Sequence, residues 1–99
     1  MAQIWIPPQI QNLTHGREIV TVEGSTVRQL INNLDAQYPG IKNILYDEEE
    51  EDIMPRLAVI VDGEASQLGV LERVSDSSEV HFLPAIGGGI YGITRMLDN

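Results

Sequence analysis

The chain has 99 residues, no cysteine, 15 acidic against 6 basic residues and a formal net charge of -9. That length holds one domain with a single modest core. Lack of cysteine excludes disulfides, thiol nucleophiles and thiolate metal sites, and the charge argues against nucleic acid, whose phosphates such a surface repels.

No window approaches the ~20 apolar residues of a membrane span. The amino terminus lacks the basic and apolar regions of a secretory signal, so the cytoplasm is the expected compartment. Gln3–Ile10 is rich in β-formers, with Ile4 and Ile6 on one face and Gln3 and Trp5 on the other. Pro7 and Pro8 remove two backbone donors, so this strand must end, bulge or lie partly unpaired there. Thr14-His15-Gly16 reads as a turn and Glu18–Val22 as the returning strand of a hairpin.

Ser25 and Thr26 offer oxygens to free first-turn N–H groups. Val27, Leu30, Ile31 and Leu34 follow at helical spacing. Tyr38-Pro39-Gly40 ends this helix, because the residue before proline disfavours the helical region. Ile41–Tyr46 reads as a short helical turn, and Asp47–Asp52 as a self-repelling, solvated loop suited to attracting a basic partner. Leu57–Val61 is a continuous apolar, β-branched run that predicts a strand buried on both faces. Asp62-Gly63 turns the chain, Leu68–Val74 is a looser segment with a short strand, Ser75–Ser78 is a turn, and Glu79–Leu83 is the last strand. The order strand, strand, helix, strand, short strand, strand predicts an α+β roll. Its one main helix packs on one face of a sheet of four to five strands, and the other face is polar or reserved for a partner.

Side chains with catalytic potential are scarce. His15 falls in a turn and His81 in a strand, without a second histidine at ligand spacing, so both read as surface or packing residues rather than metal ligands. Lys42 is the only lysine, and no serine, threonine or lysine stands beside a recognisable base. No bound cofactor or metal is expected. Gly87-Gly88-Gly89-Ile90-Tyr91-Gly92 formally matches G-x-G-x-x-G, but the sequence to Asn99 supplies neither the second strand nor the acidic residue of a dinucleotide site.

The segment Leu83-Pro84-Ala85-Ile86-Gly87-Gly88-Gly89 is the most informative. An apolar strand breaks into three glycines, which lack Cβ and make a thin peptide able to enter a narrow cleft.

With these pieces in order, the sequence resembles the ubiquitin-like sulfur carriers of the β-grasp superfamily, the group that includes the small subunit of molybdopterin synthase and the thiamine sulfur carrier. The resemblance runs from Ile4 to Gly89. It is carried by Ile4-Trp5-Ile6-Pro7, by Thr26–Leu30, by Ala36-Gln37-Tyr38-Pro39-Gly40-Ile41, by Arg56–Gly63, by Asp76–Val80 and by Leu83–Gly89. The helix-to-Tyr-Pro-Gly block looks most similar to the carriers that feed sulfide into cysteine synthesis, with the molybdopterin branch close behind. The resemblance implies a β-grasp (ubiquitin-like) domain over residues 1–89. In that family an ATP-using, ubiquitin-activating-like adenylyltransferase adenylates the last glycine, which becomes a thiocarboxylate and donates sulfur to an acceptor enzyme. By position, Gly89 would be the working terminus and Gly88 would keep the approach thin. Leu83–Gly87, and Pro7 more weakly, fall where the family meets its activating enzyme, although Leu83 reads equally well as core.

Two departures stand out. Ile90–Asn99 follows Gly89, so residues 90–99 would be an extension that a metalloprotease must remove before any carboxylate exists. Ser77-Ser78 stands where the family commonly has Gly-Asp, which alters a turn. Two other readings remain open at this point. One is an uncleaved ubiquitin-like binding module whose permanent tail uses Tyr91, Ile93, Met96 and Leu97; the other is a protein modifier joined to lysines through Gly89.

Overall fold

The computed structural model describes residues 1–84. They form strands β1 (Ala2–Trp5), β2 (Ile19–Val22), β3 (Tyr46–Asp47), β4 (Asp52–Ile53), β5 (Leu57–Val61), β6 (Glu64–Ala65) and β7 (Glu79–Pro84). Between these lie helices α1 (Val27–Gln37) and α2 (Lys42–Leu45), and two 3-10 segments, Pro8–Thr14 and Gly69–Leu71. Five strands make one mixed sheet in the order β2-β1-β7-β5-β6. The pair β1–β7 is parallel, whereas β1–β2, β5–β7 and β5–β6 are antiparallel. This is the expected α+β roll with one main helix.

Register explains the core. Ile4 lies opposite both Val20 and Val80, and Phe82 lies opposite Val59, so one sheet face presents a continuous aliphatic surface. Helix α1 covers that face with Val27, Leu30, Ile31 and Leu34, all buried; Ile41, Leu45 and Val70 join the same core. Thr26 caps α1 by accepting the Gln29 N–H at 3.2 Å, and the Gln29 side chain reaches back to the Ser25 N–H at 2.8 Å. At the other end Asp35 Oδ1 accepts the N–H groups of Gly40 and Lys42, which turns the chain sharply into α2.

The opening strand ends at Trp5, just ahead of the two prolines where a break is expected. Beyond it Pro8 starts a 3-10 segment, where its fixed φ fits and its missing N–H is not needed. Gln11 Nε2 then donates to the Ile6 carbonyl at 3.0 Å, supplying a donor close to where the two prolines have none. Several expectations need correction. The acidic run is not a plain loop: its ends pair as the hairpin β3–β4, Tyr46 opposite Ile53 and Asp47 opposite Asp52. Asp52 Oδ1 accepts the Val70 N–H at 3.1 Å and so ties this hairpin to the second 3-10 segment. Strand β5 is not buried on both faces: Val59 is buried with Leu57 and Val61 packed partly against the core, whereas Ala58 and Ile60 lie on the far side of the sheet, which no layer covers among the described residues. The Leu68–Val74 segment forms the 3-10 turn Gly69–Leu71 and a single bridge between Arg73 and Thr26, not a strand.

Ser78 also does more than alter a turn. It is buried, accepts the Ser75 N–H at 2.8 Å and donates to Asp62 Oδ2 at 3.1 Å, while Asp62 Oδ1 accepts the Glu79 N–H at 2.9 Å. This network joins the β5–β6 turn to the start of β7.

The alternation along β7 yields a direct test. Phe82 is fully buried, whereas its neighbour Leu83 is 48% exposed. Phe82→Ala should lower the unfolding free energy by about 3–5 kcal/mol in urea denaturation, and Leu83→Ala by no more than ~0.5 kcal/mol, as for a surface site. A second test concerns Gly69, whose φ is +57 and whose added Cβ would collide with the Asp52 carboxylate. Gly69→Ala should lower the thermal midpoint. Gly69→Ala should cost less when introduced into Asp52→Ala than into the parent protein, because that background has no carboxylate to collide with and has already lost the Asp52–Val70 hydrogen bond.

Candidate functional site

The sheet face opposite α1 is the first candidate surface. Trp5 lies opposite Ile19 on one side and His81 on the other; His81 lies opposite Ile60, and Ile60 opposite Ala65. These five residues form one row across all five strands of the sheet. The Trp5 and His81 rings stack with centroids 5.0 Å apart and planes 10° apart. Leu83 continues this face one step along β7, opposite Ala58. The face is mixed: Gln3, Thr21 and Glu79 make a polar, exposed row, and beside it Trp5, Ile19, Ile60 and Leu83 form an apolar strip in which Ile19 and Leu83 are exposed.

At the β7 end of this face the sheet opens. The β1–β7 pairing stops at Trp5 opposite His81, because Pro7 and Pro8 cannot donate to a ladder, while β7 continues to Pro84 against β5. The divergence leaves a cleft of about 380 Å3 lined by Trp5, Pro7, Glu18, His81, Leu83 and Pro84. A second hollow, of about 240 Å3, lies against Ile10, Ile44, Arg56 and Leu57. Pro7 and Pro84 line both. The chain therefore leaves β7 between two apolar hollows.

Trp5, which lines the cleft, also carries an unusual polar group. Among the described residues, Trp5 Nε1 is the one buried side-chain polar atom without a hydrogen-bond partner. A buried donor left unpaired costs about 1–3 kcal/mol, which makes this N–H a feature in need of an acceptor.

The structure brings the expected contact residues Pro7, Leu83 and Pro84 together at one place, and Leu83 is a surface residue rather than a core one. Ala85, Ile86, Gly87, Gly88, Gly89 and the extension 90–99 lie outside the described residues. Of the histidines, His81 belongs to the apolar row, and His15 rests against Tyr38 with ring centroids 5.7 Å apart. Sequence reasoning missed Trp5 and His81 as site residues. The period-2 pattern of β1 and β7 puts both on the non-core face, but only the parallel register shows that they touch.

Comparison with known proteins agrees with this architecture. The chain matches the ThiS family over residues 4–89. It is 30% identical over 87 residues to the sulfur carrier protein CysO of Mycobacterium tuberculosis, an alignment covering 85% of this chain and 94% of that protein. Among solved structures, the M. tuberculosis CysO crystal structure superposes with a TM-score of 0.81 at 26% identity, covering 87% of this chain and all of that one. A chain of the Amycolatopsis orientalis BexX/CysO complex superposes with a TM-score of 0.80 at 28% identity, covering 90% of this chain and 100% of that one. A match to the family across nearly the whole described fold, with a β-grasp sheet and helix in the same arrangement, is decisive: the chain belongs to the ThiS family of ubiquitin-like sulfur carriers.

Proposed function

We propose that this protein is the pro-form of a sulfur carrier that works in the cytoplasm through the carboxylate of Gly89. The observation that carries this reading is that the family match stops at Gly89, at the end of the glycine run that follows the central strand β7 in sequence.

The chemistry follows from what a carboxylate can and cannot do. An internal Gly89 has no free carboxylate, so a partner protease, by family resemblance a metalloprotease, first hydrolyses the Gly89–Ile90 bond. The freed carboxylate is a poor electrophile. A ubiquitin-activating-like adenylyltransferase joins it to the α-phosphate of ATP, releasing pyrophosphate and leaving a mixed anhydride. Hydrosulfide, or a sulfur donor equivalent to it, attacks the anhydride carbonyl; AMP leaves with the C–O bonding pair, a proton is released, and a thiocarboxylate remains. Its sulfur is then the nucleophile presented to an acceptor enzyme in cysteine, molybdopterin or related biosynthesis. The protein is a cosubstrate in this scheme, and ATP is bound by its partner. Gly87 and Gly88 keep the terminal peptide thin enough to reach the partner's site. Leu83, Pro84 and Pro7, with Ala85 and Ile86 beyond them, form the contact to that partner, and the Trp5–His81 row extends it.

Intact mass spectrometry of the untagged protein from its native cells tests the reading. A species ending at Gly89, with a fraction carrying sulfur in place of one oxygen, is the expected result. A population that retains residues 90–99 under conditions where sulfur assimilation is active would favour an uncleaved binding module. An isopeptide bond from Gly89 to other proteins would favour a modifier.

The docking surface has its own test. Leu83→Asp puts a charge on an exposed apolar position without touching the core. It should leave the unfolding midpoint nearly unchanged and slow pyrophosphate release with the cognate activating enzyme by roughly tenfold or more, as for a central interface residue. An unchanged rate removes Leu83 from the contact.

A further inference from the structure

We propose that the cleft at the end of β7 seats an arginine side chain of the partner protein that docks on this face. The inference rests on the carrier reading for which partner that is, and on the cleft's own chemistry for the arginine.

The first observation is an unanswered main-chain acceptor. In the parallel β1–β7 ladder the Gln3 N–H donates to the Ser78 carbonyl, one residue before its partner Glu79. Stepping along by two, the donors are residues 3, 5 and 7, and the acceptors are the carbonyls of Ser78, Val80 and Phe82. Residue 7 is Pro7, which has no N–H to give. The nearby Gln11 amide does not replace it, because its Nε2 donates to the Ile6 carbonyl. Both Pro7 and Phe82 line the cleft, so the Phe82 carbonyl stands at the cleft without its ladder donor.

The second observation is charge. Glu18 is the one carboxylate lining the cleft, and no lysine or arginine lines it. Among the described residues the only ion pair joins the Met1 amino group to Asp76, so the Glu18 carboxylate is unpaired there. Register sets it close to the open carbonyl. The Ile6 N–H donates to the Glu18 carbonyl at 2.8 Å, and Ile6 is the next residue of the chain in line with Phe82. Two acceptors, one of them anionic, thus flank the same opening and call for a cationic donor.

The walls decide which cation. The stacked rings of Trp5 and His81, with Pro7 and Leu83, make the rest of the cleft apolar. An ammonium group is strongly hydrated and loses most by entering such a place. A guanidinium is more weakly hydrated, lies flat on aromatic surface and offers several donors in a fork, enough for a carboxylate and a carbonyl together. Its methylene stem covers the apolar wall. The net charge of -9 draws basic surfaces in general. The cleft would fix where one of their charges is held, and so set the register of docking, while the apolar strip supplies contact area.

Trp5 is the only tryptophan, so its indole N–H gives a single signal in a 1H–15N correlation spectrum. That N–H is enclosed, so it reports on the cleft without competing for the guest. The full chain is titrated at physiological salt with N-acetyl-arginine methylamide, and separately with the citrulline analogue, which keeps the shape and lacks the charge. The expected result is a saturable shift of the Trp5 indole and the Leu83 amide, with half-saturation in the ~mM range. The citrulline compound should bind at least about tenfold more weakly, and Glu18→Gln should weaken the arginine compound by about fivefold or more. Glu49→Gln, which removes one charge from the acidic hairpin, should change it by less than about twofold, because salt screens distant charges. Absence of a saturable shift by ~50 mM, equal binding of the two compounds, or parental binding by Glu18→Gln would each overturn the proposal. The two readings fail separately. Cleavage and thiocarboxylate formation with a cleft blind to the arginine compound keep the carrier and reject the anchor; a responsive cleft in a chain never cleaved keeps the anchor and rejects the carrier.

Discussion

The structure depends on the parallel pairing of β1 with β7. Gln3, Ile4 and Trp5 lie opposite Glu79, Val80 and His81, and the Gln3 N–H donates to the Ser78 carbonyl at 2.9 Å. This contact joins residues more than seventy positions apart in sequence, so its loop-closure cost must be met by the burial it makes possible. It puts the last described strand at the centre of the sheet, between β1 and β5. The strand that delivers the carboxy-terminal segment is consequently the best supported one in the fold. Two side-chain devices hold its start: Ser78 and Asp62 fix the turn before it, and Val80 and Phe82 anchor it in the core.

The same pairing sets up the site by where it ends. Two consecutive prolines remove the donors that would extend β1, yet β7 runs on against β5. One strand therefore outlasts its neighbour, and a cleft opens at the place where the chain leaves the sheet. Along β7 the pleat separates two tasks residue by residue: Val80 and Phe82 face the helix, while His81 and Leu83 join the apolar row with Trp5. An exposed row of this kind is an aggregation hazard by itself. A net charge of -9 offsets the hazard by keeping molecules apart, and the acidic hairpin contributes heavily to it.

Much of this was legible in the sequence, and the exceptions have physical causes. Helix α1 was readable because its apolar period, its Thr26 cap and its Tyr-Pro-Gly stop all agree, and such agreement leaves little for tertiary contacts to override. The strands β3 and β4 were not readable. Each is two residues long, and their pairing depends on Asp52 reaching the Val70 N–H eighteen positions away, which no local pattern encodes. Strand β5 misled for a different reason. An unbroken run of Leu, Ala, Val, Ile and Val normally means cover on both sides, but here the outward members belong to a surface left apolar. The stretch Pro7–Ile10 was half readable: the prolines signalled a break without showing that a 3-10 segment would follow. At the site, Leu83 and Pro84 could be marked from the glycine run beside them, whereas the Trp5–His81 stack exists only once the register of two distant strands is known.

The separation between motif and surface has a chemical logic. In the proposed reaction the reacting group is a main-chain carboxylate, and the activating phosphate chemistry belongs to a partner. Nothing in that scheme asks this fold for a general base, a metal or a nucleophilic side chain, and among the described residues no group of three or more histidine, aspartate or glutamate side chains is arranged to hold a metal. What the fold must supply is mechanical: a rigid exit, an apolar face that fits one partner, and a peptide thin enough to follow. A rigid exit comes from central strand pairing, a thin peptide from glycine, and a fitted face from whichever residues the register brings outward. The first two leave marks in any short window of sequence. The third does not, which explains why Trp5 can differ from a core residue in nothing but its parity along the strand and still sit at the middle of the surface.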